Sequence, residues 1–379
     1  MDIGIYIVSK KIVILGSTGS VGTQCLEIIR NFPDDFSVLG LSAGKNFKLL
    51  KEQVQEFSPK YFFIENYDQN IEEAKKISLE EMVTLEDVDL VVMALSGSIG
   101  LVPVHEAVNS GKTIILANKE SMVMAGKMLV EKAKLTGATI LPVDSEPSAI
   151  WQCMMGERKN ISKLILTASG GSLRNYSINE LKNISPELVL KHPTWNMGAK
   201  ITVDSATLLN KAFEVIESSN LFSVPLNNID VLIHPESIVH SLVEFIDGNL
   251  KALLSIPDMR FPIQYAMFFP DRKANVELPE CNLAELGSLN FSPVIPGKYP
   301  LFDMAMSIAQ NNNSLMSVLV GADEAVVDLF INGKIKFLDM NYLIEKTIQS
   351  HQSIKNPSLE DIKNASEWGF NNVHQLIDI

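Results

Sequence analysis

The stretch Lys11 to Gly22 constrains the fold more than any other. A β-branched run, Lys-Ile-Val-Ile-Leu, stops at Gly16. The turn Gly16-Ser-Thr-Gly-Ser-Val-Gly22 follows, and Thr-Gln-Cys-Leu-Glu-Ile-Ile-Arg then continues with helical periodicity. This reads as strand, glycine turn, helix. Glycines let the backbone turn tightly, and the free N–H groups at a helix start can meet a pyrophosphate. The spacing is G-x-x-G-x-x-G rather than G-x-G-x-x-G, and a tight turn without a ligand is the plain alternative. Further apolar runs lie at 37–42, 61–64, 90–94, 113–117 and 139–143, with a helical stretch at about 47–57. Strands alternating with helices predict an α/β fold opening with a Rossmann-like, doubly wound parallel sheet, its last strand ending at Asp144.

Cofactor choice is readable after the second strand, where NAD-binding chains place a carboxylate on the ribose hydroxyl. Here the chain has Ser42-Ala43-Gly44-Lys45-Asn46. With no carboxylate and a lysine in reach, the site suits a 2′-phosphate and so NADP(H). A solvated loop lysine is the alternative.

Beyond Asp144 the character changes. Residues 145–268 carry strand-like runs at 163–167, 231–233, 238–245 and 251–255, with a helix at about 205–219, the pattern of an α+β catalytic domain. Within it, the stretch 169–199 is bounded by Gly170-Gly171 and Gly198, which reads as a lid or as a partly helical excursion. Residues 269–298 are rich in Pro, Asn and Gly and read as a linker; 299–379 reads as a C-terminal helical bundle.

Three carboxylates stand out. Asp144 and Glu146 are i and i+2, so in an extended backbone both point at one cation, and Glu214 lies on a helix expected to start near Asp204. Without cysteine or clustered histidine, such a set selects a hard, oxygen-loving ion, Mg²⁺ or Mn²⁺. On the same helix Asn210 and Lys211 share a face with Glu214, and Ser205 is expected near its amino end. Hydroxyl, amide and ammonium beside a carboxylate suit a substrate with a phosphate at one end and chelating oxygens at the other. The bland alternative is an N-cap plus a surface Lys–Glu pair.

Charge sets limits. Among 379 residues, 32 Lys plus Arg oppose 45 Asp plus Glu, a net charge of −13, which argues against nucleic acid and anionic membranes as partners. The longest apolar stretch, Leu90 to Val104, is interrupted by Gly97, Gly100 and Pro103 and falls short of a bilayer span. The apolar run Ile3 to Val8 is too short for a signal peptide. Three scattered cysteines, Cys25, Cys153 and Cys281, point to a reducing, cytoplasmic compartment.

Taken together, several ordered motifs resemble the 1-deoxy-D-xylulose 5-phosphate reductoisomerase family. They are Gly16-Ser-Thr-Gly-Ser-Val-Gly22, Leu116-Ala-Asn-Lys-Glu-Ser121, Leu141-Pro-Val-Asp-Ser-Glu146, Ser169-Gly-Gly171, His192-Pro-Thr-Trp-Asn-Met197, Val203-Asp-Ser-Ala-Thr207 with Asn210-Lys211, and Pro257-Asp-Met-Arg260. The resemblance implies an NADPH- and divalent-metal-dependent homodimer of isoprenoid precursor synthesis. Such an enzyme isomerises 1-deoxy-D-xylulose 5-phosphate and reduces it to 2-C-methyl-D-erythritol 4-phosphate. It further implies that Asp144, Glu146 and Glu214 ligate the metal, and that Ser169, Ser205, Asn210 and Lys211 bind the substrate phosphate. Ser145 would contact a substrate hydroxyl, with His192, Trp195 and Met197 carried over it by the lid. Lys211, Glu146 and His192 are the expected catalytic groups. Thr18, Gly19, Ser20, Val21, Gly44, Lys45, Asn46, Asn118, Lys119, Glu120, Gly198 and Met259 would form the cofactor site.

Some positions depart from the family pattern. Pro147-Ser148 follows Glu146 where a histidine is usual, Leu253 or Leu254 stands where glutamine is common, and Gly321-Ala-Asp-Glu324 replaces an Asn-rich turn. Two rival readings are a semialdehyde dehydrogenase, which would need Cys153 as its nucleophile, and a non-catalytic NADP(H) sensor.

Overall fold

A computed structural model describes residues 9–65, 71–157, 160–177, 179–195, 197–311 and 313–377. The apolar run Ile3 to Val8 and lid residue Asn196 lie outside the described residues.

The chain forms two compact units, the first comprising Met1–Asn118, Met128–Asp144 and Met259–Pro279, the second Lys119–Lys127, Ser145–Asp258 and Glu280–Ile379. In the first, strands β1 (Lys10–Leu15), β2 (Phe36–Ala43), β3 (Tyr61–Ile64), β4 (Lys75–Lys76), β5 (Leu90–Met93), β6 (Thr113–Leu116) and β7 (Thr139–Pro142) build one sheet ordered β4-β3-β2-β1-β5-β6-β7. Each neighbouring pair is parallel. The interior strands are mostly apolar where both faces are covered: Ile12, Val13, Ile14 and Leu15 of β1 are all fully buried. The helix Arg260–Phe268 packs against the helix Ser20–Asn31. Cys25 Sγ lies 3.6 Å from Met267 Sδ, and Phe268 meets Phe32 edge-on at 4.8 Å between centroids. That return is invisible to a reading that follows chain order and places residues 145–268 in one domain.

In the second unit, β8 (Ile161–Ala168), β9 (Ile229–Ile233), β10 (Val239–Phe245), β11 (Leu250–Leu254) and β12 (Ser292–Pro293) form a mixed sheet ordered β11-β10-β8-β9-β12. The helices Ser145–Cys153 and Leu209–Phe222 contribute Ile150 and Val215 to a core with Leu164, Leu166, Val243 and Phe245. The stretch 269–298, read from sequence as a linker, carries the short helix Leu283–Leu286 and supplies β12, which pairs antiparallel with β9. The final helices are Pro300–Ile308, Leu315–Ile331, Phe337–Ser350 and Leu359–Ile377. Gly321-Ala-Asp-Glu324 lies inside the second of these.

Candidate active site

The glycine turn lies where the strand order reverses, with β2 on one side of β1 and β5 on the other. In open parallel sheets this switch point is where ligands bind, beyond the carboxyl ends of the strands. Gly16 has φ +89°, and its amide donates to Ser42 Oγ at 2.9 Å. A Cβ on Gly22 would come within 2.3 Å of the Gly16 carbonyl oxygen, so the helix starts this close to the turn only with glycine there. Below the turn, Ser17 Oγ donates to Gln53 Oε1 at 2.7 Å while Gln53 Nε2 donates to the Ser17 carbonyl at 2.9 Å. Gly19, the N-cap of the helix Ser20–Asn31, brings no side-chain acceptor to the first turn. Thr18, Gly19, Ser20 and Val21 keep some exposure, and Gly44 and Lys45 are exposed at the end of β2. A pyrophosphate fits such a helix start. Asn46 serves the fold as well, accepting the Leu49 amide at 3.2 Å as the cap of the helix Phe47–Phe57. Asn118 is fully buried, its amide donating to the Gly97 carbonyl at 2.8 Å. Met259 is the N-cap of the helix Arg260–Phe268, and Gly198 that of the helix Ala199–Thr207.

One carboxylate oxygen from each of Asp144, Glu146 and Glu214 lies within 4.8 Å of the others. The local backbone differs from the extended one read from sequence. Ser145–Cys153 is a helix, so Glu146 projects from a first turn, and Asp144 is held next to it by the peptide bond to Ser145. Around Glu214 sit Lys119, whose ammonium is 3.0 Å from Oε1, and Lys211, which contacts Oε2 and lies 2.6 Å from Glu146 Oε1. Asn210 Nδ2 donates to Glu214 Oε1 and Asn210 Oδ1 accepts from Lys119 at 2.6 Å. Two ammonium groups hold the buried Glu214 carboxyl below its usual range against the opposing pull of burial, and Glu146 and Glu214 in turn raise Lys211 against the same pull and keep it charged. Lys119, expected at the cofactor, therefore stands in the carboxylate cluster. Ser145 Oγ donates to Glu146 Oε2 at 2.5 Å. An all-oxygen donor set of three carboxylates fits Mg²⁺ or Mn²⁺, and the lysines beside it fit an anionic substrate.

Ser205 is not at a helix start. The expected single helix is two, Ala199–Thr207 and Leu209–Phe222, separated by Leu208 at φ +61°. Ser205 closes the first helix, whereas Asn210 and Lys211 open the second, and Asp204 is buried inside the first rather than capping anything. A third group forms here. His192 Nε2 lies 3.0 Å from Ser169 Oγ and 3.2 Å from Ser205 Oγ. Its Nδ1 accepts the backbone N–H groups of Thr194 and Trp195, so the neutral ring carries its proton on Nε2, between the two hydroxyls. Burial, then the Arg174 charge, pushes this histidine down to about 4, so it is neutral at pH 7.

Sequence reasoning missed His240, buried with Nε2 2.8 Å from Ser255 Oγ and its ring 6.1 Å from that of Trp195. It also missed Lys200, whose i,i+4 spacing to Asp204 was the available signal. His234 donates through Nδ1 to the Asn290 carbonyl at 2.8 Å and accepts the Ile238 and Val239 amides. Cys153 is buried and its thiol is pushed up to about 11, which removes the nucleophile that a semialdehyde dehydrogenase needs.

A doubly wound sheet with a dinucleotide turn, and a carboxylate–lysine group suited to a hard cation and an anion, define a nucleotide-dependent, metal-assisted oxidoreductase. Comparison with known proteins narrows the class. Models of the 1-deoxy-D-xylulose 5-phosphate reductoisomerase and its C-terminal domains match residues 12–126, 140–222 and 254–370. The 1-deoxy-D-xylulose 5-phosphate reductoisomerase of Thermodesulfovibrio yellowstonii is 43% identical, with 95% of this chain and 97% of the relative covered. That of Caldanaerobacter subterraneus is 45% identical, covering 93% and 95%. A solved DOX-P reductoisomerase in complex with NADPH, fosmidomycin and magnesium superposes with a TM-score of 0.91 at 35% identity, covering 97% of this chain and 98% of that one. The Zymomonas mobilis enzyme in complex with NADPH gives 0.89 at 32%, covering 98% and 100%. The chain belongs to the 1-deoxy-D-xylulose 5-phosphate reductoisomerase family.

Proposed function

We propose that this chain uses NADPH and a divalent cation, Mg²⁺ or Mn²⁺, to isomerise 1-deoxy-D-xylulose 5-phosphate and reduce the product to 2-C-methyl-D-erythritol 4-phosphate. The observation that carries the site assignment is the approach of Asp144, Glu146 and Glu214 to within 4.8 Å, flanked by Lys119 and Lys211. These carboxylates hold the metal, which when bound supplies Lewis-acid stabilisation of the oxyanion that develops as the carbon skeleton rearranges. NADPH supplies the hydride.

The remaining roles belong to the chain. Ser169, Ser205, Asn210 and Lys211 bind the substrate phosphate, with His192 presenting its Nε2 proton between the two serine hydroxyls. Remote binding of that kind orients a small flexible sugar. Ser145 and Glu146 face the substrate oxygens, and Lys119, beside Glu214, belongs with the substrate rather than the nucleotide. Trp195 and Met197 cover the substrate and exclude water from reactive intermediates. Thr18, Gly19, Ser20, Val21, Gly44, Lys45, Asn46, Asn118, Glu120, Gly198 and Met259 are the residues that would hold NADPH. By domain, residues 1–144 with the returning stretch 259–268 serve the cofactor, 145–258 the chemistry under a lid at 169–199, and 299–379 form a helical support.

Among the described residues no helix is long and apolar enough to cross a membrane. We further propose a cytoplasmic homodimer. The edge strand β11, with β10 on its one paired side, and the exposed Ile246 and Leu250 support the dimer reading. Light scattering of the pure protein tests it. The main test is NADPH oxidation on adding 1-deoxy-D-xylulose 5-phosphate with Mg²⁺ or Mn²⁺; folded protein giving no turnover with either ion sinks the proposal.

A further inference from the structure

One lysine outside the residues assigned above touches the backs of three segments that carry them. Lys200 Nζ lies 2.7 Å from Asp204 Oδ2, 2.6 Å from Asp323 Oδ2 and 3.5 Å from Glu120 Oε1, and 5.7 Å from the centroid of the Phe213 ring. Each of three partners adjoins a site residue in the chain: Glu120 follows Lys119, Asp204 precedes Ser205, and Phe213 precedes Glu214. Neighbours on a helix point about 100° apart, so a group gripping one residue sets the direction of the next. The fourth partner, Asp323, comes from the helix Leu315–Ile331.

The pattern is costly unless it does something. Asp204 and Asp323 are 3% and 1% exposed, and one oxygen of each, Oδ1, is buried with no hydrogen-bond partner. A buried ion group that leaves lone pairs unmatched stabilises a fold less than apolar packing of the same volume would, and its better-attested use is to select one arrangement.

We infer that Lys200 is a positioning residue, which through Glu120, Asp204 and the face of Phe213 aligns Lys119, Ser205 and Glu214 for the substrate, with Asp323 anchoring it to the C-terminal helices. The inference rests on the functional reading above. Against the downward pull of burial, the neighbouring Asp204, Asp323 and Glu120 hold the Lys200 ammonium well above its ordinary range, so the lysine stays charged in the working range. Asp204 is pushed up to about 8, chiefly by burial and then by Asp323.

The test compares the full-length protein with Lys200→Met, Lys200→Gln and Lys200→Met combined with Asp323→Asn. Melting temperature, kcat and KM per folded molecule, and calorimetric binding of the ketose phosphate with Mg²⁺ are measured on each. Lys200→Met is expected to lose about tenfold or more in kcat and to bind the ketose phosphate more weakly, since small misplacements of aligned groups cost that much. Removing Asp323 as well relieves uncompensated charge and is expected to recover melting temperature without recovering kcat. Lys200→Gln, which retains donors, is expected to fall between wild type and Lys200→Met, and it replaces Lys200→Met if that variant does not fold. A kcat and binding constant within about threefold of wild type in folded Lys200→Met, or in Lys200→Gln where Lys200→Met does not fold, would overturn the inference. A wild-type protein with no turnover would instead overturn the functional reading, leaving the binding comparison to decide the role of Lys200.

Discussion

The Lys119 ammonium lies 3.0 Å from Glu214 Oε1, although 95 residues separate them in the chain, and both side chains are less than a tenth exposed. Such a pair is held by burial on every side. Removing one member leaves the other charged and unmatched, which costs far more than a surface ion pair is worth.

Glu214→Gln keeps the shape of the side chain and removes its charge. Turnover is expected to fall at least about a hundredfold, because Lewis-acid catalysis supplies several kcal/mol and each 1.4 kcal/mol is tenfold. NADPH affinity, followed by fluorescence titration, should change little. An equal loss of both would place the helix outside the metal site.

Lys45→Asp tests cofactor choice. Hydrogen bonds between charged groups contribute roughly 1.5–3 kcal/mol, so NADPH binding should weaken at least about tenfold while NADH binding holds or improves. An unchanged ratio of the two dissociation constants would refute the assignment.

Two buried histidines shape stability on the acid side. His192 and His240 are each pushed down to about 4, chiefly by burial, so the unfolded chain binds more protons than the native one between about 6.5 and 4. Their contribution is fully present above pH 6.5 and is lost as pH falls toward 4. Asp204 works the other way. Raised to about 8, it keeps a proton in the native state that the unfolded chain releases near 3.8, so stability falls as pH rises toward 8. Urea denaturation from pH 5 to 9 should show a maximum near neutrality, and Asp323→Asn should flatten its alkaline side, because Asp323 is the charge that lifts Asp204 most after burial. An unaltered alkaline slope would count against this.

Gly22→Ala places a methyl group 2.3 Å from the Gly16 carbonyl oxygen and 2.5 Å from Ser17 Cα, both backbone atoms. The helix must shift, at a cost of about 1–3 kcal/mol as overpacking goes. NADPH binding should weaken with it. Chemical denaturation and fluorescence titration check the two effects, and a wild-type result in both would show that the turn tolerates a Cβ.

By itself the sequence determined what is local. Hydrophobic periodicity set six of the seven described strands of the first sheet to within a few residues of where they lie, since a strand covered on both faces needs a mostly apolar run; the short, exposed edge strand Lys75–Lys76 carries no such signal and was missed. The glycine turn was legible because φ +89° at Gly16 and the close approach at Gly22 require glycine. Asp144, Glu146 and Glu214 were legible as one group because carboxylates without cysteine or histidine leave few metals to choose from. Tertiary structure decided the rest. Nothing local ends a helix at Leu208, which adopts φ +61° with a side chain only 2% exposed; burying it and Leu209 outweighs the backbone cost and moves Ser205 to a helix end. The return of Met259–Pro279 to the first unit leaves no mark in local pattern, because an apolar helix face does not say which core it joins. Lys200 is the clearest case: in sequence a helix lysine is a solvated charge, and only packing against Asp204, Asp323 and Phe213 turns it into a half-buried strut.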